Sequence, residues 1–106
     1  MAMTPEAKVK NQVKKYLKEF GPDLYHFFPA TGGYGRNGVP DVVGCYRGRF
    51  FAIECKTIKG KLTMLQELEL NKIWAAQGGA WVVNEYNVAN VPELIRALGE
   101  GVVEDL

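Results

Sequence analysis

Two cysteines, one histidine and the absence of any long apolar run set the first limits on this 106-residue chain. Cys45, Cys55 and His26 are too few for a four-ligand zinc site, and the two thiols read as buried, reduced core residues rather than a disulfide framework. No stretch reaches the roughly 18 apolar residues of a membrane-span candidate, and the opening MAMTPEAKVKNQ lacks the apolar centre of a secretory signal. A cytoplasmic protein is the expectation. The length allows one domain, residues 1–106, holding one core with little redundancy, so a second copy of the chain would help to cover its apolar surface.

Net charge is equally scarce, at +1, but it is unevenly spread. Residues 1–61 hold 11 Lys and Arg against 5 Asp and Glu, whereas residues 62–106 hold 2 against 7. Such polarisation suits an anionic partner docking on elements of the first half.

Periodicity and punctuation predict the elements. TPEAKVKNQVKKYLKEFG reads as a helix with Thr4 as N-cap, Pro5 at its first position and Gly21 beyond its end. Val9, Val13, Tyr16, Leu17 and Phe20 make its buried face, and Lys10, Lys14 and Lys18 form a stripe elsewhere that reads as a solvated face. LYHFFPA, between Pro22 and Pro29, is expected to be an edge strand, followed by a glycine-rich loop, ATGGYGRNG. VPDVVGCYRGRFFAIECK reads as a β-hairpin turning at Arg47 and Gly48. After the basic turn TIKGK, LTMLQELELNKIWAAQGG is a helix opened by Thr63 with Gln66 in capping-box spacing and closed by Gly78 and Gly79. AWVVNE is a strand joined to the hairpin by a right-handed parallel crossover, and VPELIRALGE adds a last helix before an acidic tail. The fold class is therefore α/β, a mixed central sheet of about four strands flanked by helices.

The chemistry follows from the hairpin's register. A two-residue turn at Arg47 and Gly48 pairs Tyr46 with Arg49 and, counted down the ladder, sets Asp41 opposite Glu54. Lys56 shares the face of Glu54, while Phe51, Ile53 and Cys55 point to the apolar side. Two opposed carboxylates repel in so apolar a region unless a cation lies between them. Oxygen donors from Asp41 and Glu54, with a backbone carbonyl such as that of Cys55, suit Mg²⁺ or Mn²⁺ rather than zinc. Lys56 would then serve as a fixed positive charge or a proton-transfer group toward an attacking water. The competing reading makes Asp41 a turn cap and Glu54 with Lys56 the polar stripe of a half-exposed strand.

GVPDVVG followed by FFAIECK resembles the PD-(D/E)xK nuclease signature, Pro40-Asp41 standing for PD and Glu54-Cys55-Lys56 for ExK. The early helix with Glu6, the loop YGRNGVPD, ECK and a helix bearing Gln66 ahead of GG together resemble a stand-alone VRR-NUC domain over residues 4–85. The resemblance implies a restriction-endonuclease-like αβββαβ fold, Mg²⁺ or Mn²⁺ dependence and phosphodiester hydrolysis. It also implies a bacterial or phage setting and a homodimer acting on branched DNA such as Holliday junctions. By motif position it makes Asp41 and Glu54 metal ligands, Lys56 the residue that assists the nucleophile, and Glu6 and Gln66 the completion of the site. The triplet that gives the family its name is missing: TIKGKLTMLQ stands in its place.

Glu6 borders the buried helix face, so an inward role competes with simple stabilisation of the helix N-terminus. Gln66 is similarly divided between the capping box and the active site. In GGYGRNG, which no Gly-Lys-Ser/Thr follows, Arg36 and Tyr34 are candidates to contact a DNA backbone or stack on a base, against the reading of a flexible turn. Lys59 and Lys61 are candidate phosphate contacts. Besides a nuclease, the residues leave open a catalytically silent nucleic-acid-binding module of the same fold or a protein-protein adaptor.

Overall fold

The computed structural model describes residues 3–30 and 37–106. Helix α1 spans Pro5–Lys18, with the Thr4 hydroxyl accepting from the Ala7 amide and Val9, Val13 and Leu17 buried one helical turn apart. A short 3-10 turn, Gly21–Asp23, leads into strand β1, Leu24–Phe27. Strands β2, Val42–Tyr46, and β3, Arg49–Cys55, form the expected hairpin. Helix α2 covers Met64–Ala75, strand β4 Gly79–Val83 and helix α3 Val91–Gly99. The sheet order is β1-β2-β3-β4, so β1 is an edge strand and the hairpin occupies the middle.

Arg47 and Gly48 have φ of 50° and 82°, the signature of a type I′ turn, whose twist matches that of the flanking strands. The turn sets the register: Tyr46 pairs with Arg49 and Val42 with Ile53, antiparallel throughout. β3 pairs with β4 in parallel, through the α2 crossover.

Alternation divides β3 between two environments. Phe51, Ile53 and Cys55 enter the main core with Val42 and Tyr46, Val9, Val13 and Leu17 of α1, and Leu94, Ile95 and Leu98 of α3. Ala52 and Glu54 face the opposite side, where α2 packs over β3 and β4. The tail does not hang free, since the Trp81 indole N–H donates to the Glu104 carbonyl (2.7 Å) and Val103 rests against the core.

Two expectations shift in detail. α2 is closed by Gln77, in the left-handed region at φ 71°, and not by the Gly pair; Gly78 and Gly79 are buried at the entry to β4, where a Cβ would crowd Ile73 and Phe50 at Gly78 and strike the Trp81 ring at Gly79. Cys55 is buried as expected, but Cys45, on the hairpin's other face, is only half-buried.

Candidate active site

Asp41 immediately precedes β2, at the end of the hairpin away from its turn. Counted from the closing pair, odd-numbered β3 residues direct their peptide groups to β2 and even-numbered ones to β4; the Lys56 amide accordingly donates to the Val83 carbonyl. Cys55 thus faces the β2 side, opposite Pro40. Proline has no N–H to give the Cys55 carbonyl, and the Cys55 amide donates instead to Asp41 Oδ2 at 2.7 Å. A side chain has replaced the ladder there, and the Cys55 carbonyl faces the same opening.

Continued one step past the Val42–Ile53 pair, the same register sets Glu54 opposite Asp41, close enough for the Asp41 carboxyl group to act on it both as a charge and as a hydrogen-bond partner. Glu54 is only 3% exposed. Burial, then the neighbouring Asp41 charge and that hydrogen bond, push the Glu54 pKa from its usual 4.5 up to about 8, with Lys56 pulling the other way. Two carboxyl groups this close cannot both be ionised without a cation to separate them. Around them, Lys56 Nζ stands 3.9 Å from Glu54 Oε2 and Lys10 Nζ 3.6 Å from Asp41 Oδ1.

Gln66 serves both purposes between which its sequence position was divided. Its Oε1 accepts from the Thr63 amide at 2.9 Å, completing the capping box, and its Nε2 donates to Glu54 Oε2 at 3.3 Å. The backbone before β2 approaches α2 closely at Gly38. Gly38, at φ 84°, passes so near α2 that a Cβ would lie 2.5 Å from the Leu65 carbonyl carbon.

The structure therefore brings Asp41, Glu54, Lys56 and Gln66 together, with the Cys55 peptide beside them. Glu6 stays at the margin: it is exposed, contributes only a minor charge effect on Glu54, and among the described residues no three His, Cys, Asp or Glu side chains converge as a metal cluster. Lys59 and Lys61 are exposed just beyond β3. Arg36 and Tyr34 lie outside the described residues. Lys10 is the neighbour that sequence reasoning missed, having been assigned to a solvated stripe; its place one residue after buried Val9 was the available signal.

The donor set suits a hard divalent cation. All the available donors are oxygens, and Mg²⁺ characteristically binds through one or two carboxylates while keeping several waters. The proton that Glu54 holds up to about pH 8 marks where positive charge is wanted.

Residues 6–89 match the family described as archaeal Holliday junction resolvase (Hjc). A solved VRR-NUC domain superposes with a TM-score of 0.72 over 86% of this chain and 97% of that one, at 22% identity. No curated protein matches the chain. No described helix is long and apolar enough to cross a membrane.

Proposed function

The chain belongs to the archaeal Holliday junction resolvase (Hjc) family, and from that premise we propose that it is a divalent-metal-dependent endonuclease cutting branched DNA at the Asp41–Glu54 centre. The observation that carries the reading is the facing of two carboxyl groups at the hairpin's open end, Asp41 bound to the Cys55 amide and buried Glu54 flanked by Lys56 and Gln66. Asp41, Glu54 and the Cys55 carbonyl would hold Mg²⁺ or Mn²⁺, with Glu6 the candidate for a further, water-mediated contact. When bound, the cation supplies the charge that lowers the pKa of an attacking water and offsets charge developing on the phosphoryl oxygens.

The remaining chemistry falls to the chain's own groups. Gln66 orients the Glu54 carboxylate through Nε2 while its other end is tied to the N-terminus of α2. Lys56, largely shielded from solvent, stands beside the Glu54 carboxylate, where it serves either as a fixed charge facing the scissile phosphate or as the group that takes a proton from the water attacking phosphorus. The phosphorus–oxygen bond to the leaving strand end breaks as the new one to the water oxygen forms, the attacking water's proton passes to Lys56 or solvent, and the departing oxygen takes its proton from solvent water. Lys59 and Lys61, with Arg36 and Tyr34 of the sequence segment GGYGRNG, are assigned to holding the DNA.

A twofold homodimer would supply the second centre that paired cuts require. Met64, Leu65 and Leu68 on α2 and Phe27 on β1 are exposed apolar side chains available to such an interface, whereas Leu70 is buried and Ile73 and Trp74 are partly so, filling the chain's own interior.

The test is incubation of a four-way junction, a flap and a linear duplex with the protein in Mg²⁺, Mn²⁺ or chelator, beside an Asp41→Asn control. Metal-dependent cleavage of the junction, absent in the control, is expected. A junction bound tightly but never cut would instead identify a silent binding module.

A further inference from the structure

Helix α1 carries five lysines against one glutamate. Three of them, Lys10, Lys14 and Lys18, recur every fourth residue and so line one flank of the helix, where like charges repel by a few tenths of a kcal/mol per pair. Among the described residues neither Lys14 nor Lys18 has an acidic partner within ion-pair distance, and both are exposed. The stripe is not randomly placed. Lys10 ends on Asp41 at 3.6 Å, inside the active site, and Lys14 Nζ sits 4.8 Å from the Phe28 ring centroid, with Lys10 Nζ at 5.9 Å from the same ring. Phe28 is itself anchored against the core and meets His26 edge-on. Lys18 lies close enough to His26 for its charge to add to the effect of burial in lowering the imidazole pKa. Phe28 thus seats Lys10 and Lys14, and Lys18 continues the row that starts at the catalytic carboxylates.

We propose that Lys10, Lys14 and Lys18 form the track that seats the phosphate backbone of the substrate strand leading into the Asp41–Glu54 centre. Eight residues of helix advance about 12 Å, enough to accompany three to four phosphates at about 3.4 Å of duplex axis per charge on one strand. Lys14 and Lys18, with no acid within ion-pair distance among the described residues, extend positive charge away from the Lys10–Asp41 pair along a line complementary to that ligand. The inference rests on the nuclease reading, since it names the substrate path into that site.

The experiment measures junction affinity without divalent metal, by fluorescence anisotropy across a range of KCl concentrations. It compares wild type, the Lys14→Gln/Lys18→Gln double variant and Lys72→Gln, a control on exposed α2. The double variant is expected to reduce the slope of log K against log salt by about two per engaged protomer, each lost phosphate contact removing about 0.9. The control is expected to retain the wild-type slope. Circular dichroism should show the double variant folded, because glutamine is a good helix former and the substitution relieves repulsion. A double variant with the wild-type slope overturns the track while leaving the nuclease reading intact. A wild-type protein with no affinity for branched DNA overturns both.

Discussion

The hairpin at the centre of the sheet has two unlike ends. At its turn, Arg47 and Gly48 take positive φ, Tyr46 pairs with Arg49, and every ladder bond is made by backbone. At the other end Pro40 cannot donate, the last pair is Val42 with Ile53, and a carboxylate takes the Cys55 amide. The closed end specifies register and does no chemistry. The open end inherits that register and, because the ladder stops, has side chains and a carbonyl available to a ligand. One two-residue turn thus positions a carboxylate pair at the far end of five strand pairs.

The contrast is broken most severely by changing the open end. Asp41→Asn and Glu54→Gln should each lower junction cleavage by more than about a hundredfold, as expected when groups stabilising several kcal/mol of transition-state charge are lost. Binding should remain measurable in metal-free gel shifts, since Lys and Arg contacts to phosphate supply most non-specific affinity. Equal losses of binding and cleavage would show that the two carboxylates are not separable from docking.

Acidity sharpens the same distinction. Glu54 is held near pKa 8 in the folded chain against 4.5 ordinarily, so the folded state binds its proton more tightly than the unfolded state does. Its contribution is fully favourable below about pH 4.5 and is lost as pH rises toward 8. Urea melts of metal-free protein should therefore show stability falling from pH 5 to 8 by more in wild type than in Glu54→Gln. Parallel profiles for the two proteins would contradict the assignment.

The closed end should respond in stability alone. Gly48→Ala meets no atom within 4 Å but must hold φ near 82°, which costs about 1–2 kcal/mol. Denaturant midpoints should drop while cleavage at saturating metal and DNA stays near wild type. The smallest effect separates the two jobs of Gln66. Thr63→Ala removes only the hydroxyl cap, at about 1 kcal/mol. Gln66→Ala removes its half of the capping box together with the Glu54 contact, so it alone should slow cleavage; equal rates for the two variants would make Gln66 a cap and nothing more.

How far the sequence carries the structure depends on how local the determining physics is. The hairpin register was readable because Arg-Gly must turn and side chains must alternate, and the capping box because Thr63 and Gln66 lie within one helical turn. The site's four principal side chains followed from that register together with the family resemblance. Lys10 was not readable as an active-site neighbour: which flank of α1 meets the end of β2 is decided by packing of Val9, Val13 and Leu17 into the sheet, not by α1 itself. The end of α2 departs from its local signal for a related reason, since burial at the start of β4 claims both glycines and leaves Gln77 to take the left-handed position. The fold of the tail onto Trp81 likewise has no local signal.

The most direct test of the open end as a cation site is a calorimetric titration of Mg²⁺ or Mn²⁺ into DNA-free protein near pH 6.5. It would be run in buffers of different ionisation enthalpy, alongside Asp41→Asn. Wild type is expected to take up the ion with release of about one proton, the one Glu54 holds, and the variant to show neither uptake nor release. Wild-type protein that takes up no ion, or an Asp41→Asn protein that binds it equally well with the same proton release, would contradict the account.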